Sequence, residues 1–384
     1  MRQLVIADQT INDELDCFVV AEIGNNHQGN LKKAKEMFRA ARECGVNAVK
    51  LQKRDNRSLY TRAMYEMPYN NENSFGATYG AHRETLEFGR EDYVELKKYA
   101  TELGLIMFAT AFDFKSADFL AELDMPAYKI GSGDLTNPPL LKYVAKIGRP
   151  MIVSTGRGTM EDVQRAYDTI MPINPQLCLM QCTSSYPVEP EEMNLRVIET
   201  YRKRFPDIVI GLSDHQNGIA MALVGYLCGA RVIEKHFTLN RAWKGTDQAF
   251  SLEPIGMRKL VRDLRRARTS LGNGVKHPYG SEEASLYKMG KKLVAARNLP
   301  EGHALTREDI AIKSPGDGLA PYELDRIIGK VTRRTLQADE NISFENLTDK
   351  GTQKRSDSNQ RIAHAVHSFN TPHRVRFRRS PHRQ

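Results

Sequence analysis

The chain has 384 residues, more than one ordinary domain and fewer than three. With 40% hydrophobic and 27% charged residues it can bury a sizeable core, which excludes a disordered chain or one embedded in a membrane. The net charge of +9 suggests a polyanion partner, yet +7 of it lies in residues 351–384, so the body is nearly neutral.

The N-terminus starts MRQLVIADQT, where Asp8 interrupts the apolar run that a secretory signal needs. Met1–Leu15 precedes the first strand pattern and is read as a cap on a barrel's closed end. Phe18–Gly24 is the first strand candidate, followed by a helix over Leu31–Cys44 in which Ala34, Met37, Phe38 and Ala41 keep helical spacing and Gly45 ends it. Further strands are expected at Ala48–Gln52, Ile106–Ala111, Ala127–Ser132, Met151–Thr155, Leu177–Cys182, Val209–Asp214 and Val232–Phe237, each followed by a helix pattern. Eight such units in about 250 residues predict an α/β closed parallel barrel, the (β/α)8 or TIM barrel. An open doubly wound sheet is the runner-up, but no GxGxxG follows any strand.

Between Gln52 and Glu91 the chain is polar and aromatic, and a loop that long after a barrel strand is expected to be functional. Ile219–Ala230 is the longest apolar stretch, too short to span a bilayer, and reads as a buried helix. Past the helix Pro254–Leu271 the βα rhythm stops. The expected organisation is a barrel over 1–272, a Gly/Pro-containing linker over 273–285, a small irregular β domain over 286–350 and a basic tail over 351–384. The tail is poor in large apolar residues and reads as a solvated, disordered appendage, with weak polyanion contact as the alternative. Cys17, Cys44, Cys178, Cys182 and Cys228 form no CxxC pair, which points to a reduced, cytoplasmic protein.

The strand ends carry the chemistry. They deliver Glu22, Lys50, Gln52, Thr110, Lys129, Ser132, Ser154, Thr155, Gln181, Thr183, Ser213, His215, Glu234 and His236 to the C-terminal mouth, a barrel's catalytic face. His215 and His236 end neighbouring strands, so their imidazoles can converge on a divalent ion such as Mn²⁺ or Mg²⁺, with Asp214 and Glu234 behind them. The alternative is that each merely hydrogen-bonds a loop. Lys50 and Lys129 among hydroxyls suit a phosphate plus a carboxylate, in preference to a Schiff-base lysine. Cys182 reads as a core thiol, because no histidine lies near it in sequence.

The strings AEIGNNHQGN, AVKLQ, TYGAHRETLEF, KIGSGD, QCTSSYP, GLSDHQNG, EKHFTL and KGTDQAFSLEP closely resemble the sialic acid synthase (N-acetylneuraminate synthase) family from about residue 15 to 347. The resemblance implies a TIM barrel with a C-terminal antifreeze-like (SAF) domain, in a domain-swapped homodimer. It implies condensation of phosphoenolpyruvate with N-acetylmannosamine and release of phosphate. A 9-phosphate product, or a legionaminic or pseudaminic acid, is the alternative. Carried over by residue, His215 and His236 would hold Mn²⁺ or Mg²⁺ and Glu22 would be the catalytic carboxylate. Lys50, Thr110, Lys129, Ser132, Ser154 and Ser213 would cradle phosphoenolpyruvate, and Gln52, Tyr186 and Asp247 would face the sugar. Ser184 stands where some members carry Asn, and Ser314 where some bacterial members carry an arginine that reaches the partner's sugar; Lys313 or Arg297 is the substitute expected here. TYGAHR-x-x-LEF is nearer to the 9-phosphate synthases of animals.

Overall fold

A strand covered on both faces carries a nearly continuous apolar run, and the barrel strands here have that pattern. In the computed structural model, which describes residues 2–351, the chain opens with a hairpin of β1 (Gln3–Ile6) and β2 (Gln9–Asn12). There follow β3 (Phe18–Gly24), β4 (Ala48–Lys53), β5 (Ile106–Ala111), β6 (Tyr128–Ile130), β7 (Met151–Ser154), β8 (Leu177–Cys182), β9 (Val209–Asp214) and β10 (Val232–His236). β3 to β10 form a closed parallel barrel in which β10 pairs back onto β3.

Alternate side chains of each strand point inward or toward the helices. Phe18, Val20, Phe108, Ile152, Met180 and Val232 fill the barrel together with Leu4, Ile6 and Ile11 of the hairpin, so the first residues plug the closed end as expected. The outward faces pack on helices such as Leu31–Cys44, which is capped by Asn30 and buries Ala34, Met37, Phe38 and Ala41. No helix of the described residues is long and apolar enough to cross a membrane.

Two readings change. The stretch after β4 is not a plain loop but carries short helices at Asn56–Leu59, Arg62–Glu66 and Tyr79–Leu86, begun by Asp55, Thr61 and Thr78 as N-caps. The apolar segment near 219–230 gives the helix Ala220–Leu227, which leaves Val224 and Leu227 exposed rather than buried.

The chain divides into two compact units between Gly274 and Val275. In the second unit Lys292–Ala295 pairs antiparallel with Ile310–Lys313, and Val331–Thr332 with Leu347–Thr348. Its core holds Leu293, Leu299, Leu305, Ile327, Leu336 and Ile342. Asp309, fully buried, organises the polar side of this unit. Its Oδ1 accepts from Arg297 Nη2 at 2.7 Å, and its Oδ2 accepts from Thr306 N at 2.9 Å and Thr306 Oγ1 at 2.8 Å and lies 2.8 Å from His303 Nε2. Arg297 is thereby engaged within the unit, and Lys313 is likewise paired with Asp339. The basic tail falls outside the described residues.

Burial alone would raise the Asp309 carboxyl, but bonds from His303, Thr306 and Arg297 hold it well below the ordinary carboxylate range. A carboxylate depressed on folding contributes stability above its unfolded pKa of about 4 and loses it as pH falls toward the folded value. Asp309→Ala should therefore cost ~3 kcal/mol at neutral pH. In urea unfolding of the full chain followed at pH 7 and pH 3, the deficit should shrink at the lower pH; a deficit that is equal at both would contradict the ionised network.

Candidate active site

At the C-terminal mouth of the barrel the inward-pointing residues meet in a cavity of about 490 Å³. Glu22, Lys50, Gln52, Thr110, Lys129, Ser132, Ser154, Tyr186, Ser213, His215 and His236 all line it. Asp247 stands beside it, with Oδ2 3.7 Å from His236 Nδ1. The strand register explains the convergence, since Glu22 lies opposite Lys50 on one side and His236 on the other. A bulge follows Glu22, and Gly24 there adopts φ +54°, a conformation that suits glycine and brings the backbone against Glu22 and Gln52.

The centre of the cavity is a cluster of four buried charges. Lys50 Nζ lies 2.7 Å from Glu22 Oε2 and 3.6 Å from Glu234 Oε1, and it donates to Thr110 Oγ1 at 2.8 Å. Lys129 Nζ donates to Ser154 Oγ at 2.6 Å and lies 3.7 Å from Glu234 Oε1. The two ammonium groups are thus balanced by two carboxylates of the chain itself, and do not depend on a bound anion for compensation. Burial pushes the Glu22 carboxyl up against the pull of Lys50. Burial would raise Glu234 too, but Lys129 and Lys50 outweigh it and hold that group low. Burial lowers the Lys129 ammonium, whereas Glu22 and Glu234 overcome burial at Lys50 and raise it.

Gln52 is held between two groups, donating to Glu22 Oε1 at 2.8 Å and accepting from Arg54 Nη2 at 2.6 Å. The imidazoles of His215 and His236 have ring centroids 5.5 Å apart. Tyr186 lies tilted over His215 at 4.2 Å and Phe250 packs against His236 at 4.9 Å, so the pair is walled by rings. His215 Nδ1 lies 2.9 Å from the Thr183 carbonyl, to which it donates, and that leaves Nε2 as the lone-pair nitrogen. His236 Nδ1 is buried without a hydrogen-bond partner among the described residues, and burial pulls this ring down to about 3, keeping it neutral. Burial would lower the His215 ring, but Cys182 and the Thr183 carbonyl outweigh it and raise the group, and its Nε2 lies 3.5 Å from Ser213 Oγ. This nitrogen and the unpartnered His236 Nδ1 form a donor set that fits a divalent ion with open positions. No group of three or more His, Cys, Asp or Glu among the described residues could close a fully protein-bound site.

Several sequence readings need correction. Gln181, Thr183 and Thr155 do not line the mouth: Gln181 donates to the Met193 carbonyl, Thr183 to the Glu192 carbonyl and Thr155 to the Met180 carbonyl. The parity of β8 instead turns Cys182 and Ser184 inward. Cys182 therefore lines the cavity, with Sγ 3.9 Å from His215 Nδ1; the histidine absent from its sequence neighbourhood arrives from the next strand. Burial would raise the Cys182 thiol, but His215, Ser132 and Lys129 outweigh it and pull the group down to about 7, so it is not the inert core thiol that its sequence neighbourhood suggested. Asp214 points outward and pairs with Lys235 at 2.8 Å, while Glu234 belongs to the charged cluster rather than behind the histidines. Arg83 and Arg157 also line the cavity and were not read from the sequence at all.

Residues 37–276 match the NeuB family and residues 292–348 the SAF domain. The chain belongs to the NeuB family. It is an enzyme of that sialic acid synthase group, with the barrel and SAF architecture that the sequence resemblance implied. The N-acetylneuraminate-9-phosphate synthase of Homo sapiens is 42% identical over 341 residues, spanning 88% of this chain and 95% of the human one. The N,N'-diacetyllegionaminic acid synthase of Legionella pneumophila is 34% identical over 87% of this chain and 95% of its own. Among solved structures, the N-acetylneuraminic acid synthetase of Leptospira borgpetersenii superposes with a TM-score of 0.65 at 30% identity, covering 74% of this chain and 95% of that one.

The NeuB-family cavity has one steric constraint that a substitution can probe. A Cβ built on Gly156 would come 2.3 Å from Ser184 Oγ and 2.8 Å from Ser132 Oγ, and Gly156 N donates to Ser132 Oγ at 3.0 Å. Gly156→Ala should push both hydroxyls out of place, lowering turnover about tenfold or more while leaving Tm within about 4 °C of the parent. Unchanged turnover would show that these hydroxyls do not contribute.

Proposed function

We propose that this NeuB-family enzyme condenses phosphoenolpyruvate with the open-chain aldehyde of an N-acetylated hexosamine, and that the hexosamine is phosphorylated, giving N-acetylneuraminate 9-phosphate. The observation that carries the condensation is the buried Lys50–Glu22–Lys129–Glu234 cluster beside the paired imidazoles in one cavity. The phosphorylated acceptor is favoured over free N-acetylmannosamine by three relatives, 37 to 42% identical, that bear the name N-acetylneuraminate-9-phosphate synthase.

In this reading Lys50 and Lys129 face the donor's phosphate and carboxylate, with Thr110, Ser132, Ser154 and Ser213 as hydroxyl partners. C3 of the enol forms a bond to the aldehyde carbon, whose oxygen takes up a proton. Water adds at C2, and the C2–O bond to phosphate then breaks, leaving the keto acid and inorganic phosphate. Lys50 and Lys129 stabilise the charge that gathers on the departing phosphate. Glu22, held by Gln52 and with its proton affinity raised by burial, takes the proton from the attacking water. In the same reading Gln52, Tyr186 and Asp247, at the cavity or beside it, contact the sugar. His215 and His236 are the residues that would hold Mn²⁺ or Mg²⁺, and such an ion supplies Lewis acidity toward an aldehyde oxygen. The enzyme works as a homodimer with exchanged SAF domains in the cytoplasm, where its five free cysteines stay reduced.

Purified enzyme should release phosphate from phosphoenolpyruvate only when an N-acetylated hexosamine is present. Chelator dialysis should abolish this release and Mn²⁺ or Mg²⁺ restore it. His236→Ala should lower turnover on the order of 10³-fold with an unchanged circular dichroism spectrum. Absence of phosphate release with every hexosamine, phosphorylated or free, would defeat the assignment.

A further inference from the structure

The central charges of the cavity are balanced, but its flank is not. Arg83, on the helix Tyr79–Leu86, lines the cavity with Gln52, and its Nε and Nη2 both donate to the Tyr79 hydroxyl, at 3.1 and 2.9 Å. It forms no ion pair among the described residues. Behind it stands Arg54, only 7% exposed, packed on the Phe112 ring at 3.9 Å. Arg54 Nη1 has no hydrogen-bond partner among the described residues, the nearest carboxylate oxygen being Glu87 Oε1 at 3.7 Å. Glu87 is shared with Lys53 at 3.2 Å. Lys53 and Arg54 thus share one carboxylate, and Arg83 feels the charge of Asp247 without forming an ion pair to it.

A buried guanidinium nitrogen left without an acceptor, as Arg54 Nη1 is, is costly, and the charges of Arg54 and Arg83 repel each other. A bound dianion relieves both costs at once, and the planar fork of arginine matches a phosphate's oxygens. The position also selects which phosphate. The donor's lysines lie at the centre, on β4 and β6, whereas Arg83 comes from the segment after β4 and stands on the side of Gln52. The anion it meets belongs to the acceptor and sits away from the reacting carbon.

We propose that Arg83, supported by Arg54, is the specificity-determining anchor for the terminal phosphate of a phosphorylated acceptor sugar. This rests on the synthase reading above and deepens it by naming the residue that distinguishes the phosphorylated from the free hexosamine. Arg83 contacts the substrate remote from the bond being made, so it sets acceptor choice and takes no part in proton transfer.

The test compares wild type, Arg83→Ala and Arg83→Lys in full-length enzyme with N-acetylmannosamine and its 6-phosphate, measuring kcat/KM for each acceptor and KM for phosphoenolpyruvate. Calorimetric binding of the same two sugars runs in parallel. The preference for the phosphorylated sugar, as a ratio of kcat/KM values, should fall at least about 30-fold in Arg83→Ala and recover in part in Arg83→Lys. A ratio within about threefold of wild type, or an effect confined to the KM of phosphoenolpyruvate, would overturn the assignment. The binding arm separates this proposal from the synthase reading. Arg83-dependent preference for the 6-phosphate without turnover would uphold the anchor and defeat the reaction, whereas equal binding of both sugars by wild type would defeat the anchor.

Discussion

The arrangement of the mouth depends on the charge balance around Glu234. One of its oxygens lies within 4 Å of both Lys50 and Lys129, and it accepts from Ser213 at 3.4 Å. With Glu234 removed, two ammonium groups would share one carboxylate in a site almost closed to water, and the desolvation penalty would fall on the excess charge. The contact exists only because the barrel closes. Glu234 is on the last strand, Lys50 on the second of the barrel and Lys129 on the fourth, and the pairing of β10 with β3 brings the first and last within reach. Fold and site are therefore one constraint: a sheet left open between β10 and β3 would separate the carboxylate from both its partners.

Neutrality at rest has a consequence for how the donor is held. Phosphoenolpyruvate brings two anionic groups to lysines that each already face a carboxylate. Part of the compensation must come from elsewhere in the cavity, and two sources are present: the imidazole pair suited to a divalent ion and the exposed Arg157 at the rim. Glu22 already holds a proton more readily than a free carboxylate because it is buried. Drawing Lys50 toward a donor phosphate weakens the largest of the interactions that oppose burial, Gln52 being the other, so donor binding makes the Glu22 carboxylate a stronger base toward the attacking water.

How far the sequence announced this can be seen residue by residue. Periodicity alone gave all eight barrel strands, since each is a short apolar run between helix patterns. The paired polar residues at the ends of β4, β9 and β10 gave Lys50, Gln52, Ser213, His215, Glu234 and His236, because residues two apart share a strand face. The same logic failed on β8, where Gln181 and Thr183 are spaced just as plausibly as Cys182 and Ser184. Only the register against β9, which places Cys182 beside Ser213, decides which set faces inward. Glu234 was visible, but its role was not, since the partners that define it are contributed by strands distant in sequence. The resemblance to known synthases supplied roles for residues that no spacing could assign.

The segment between β4 and the helix Arg90–Glu102 shows a different limit. Its polarity and length marked it as functional, yet nothing in its pattern singled out Arg83 over the other arginines there. Position is set by a cap and a ring: Thr78 starts the helix by accepting from Ala81 N at 3.2 Å, and Tyr79 takes two donors of Arg83. Tyr79 in turn packs edge-on against Tyr60 and Tyr69, at 5.1 and 5.3 Å. Gly80 allows this helix to sit close, since a Cβ there would fall 2.5 Å from the Tyr65 ring. A guanidinium on a flexible side chain would gain little from a charge alone, because ordering it costs entropy. Pinned through a tyrosine that is itself wedged among aromatics, Arg83 has already met that cost before any ligand arrives, which is what a site that discriminates between two otherwise identical sugars requires.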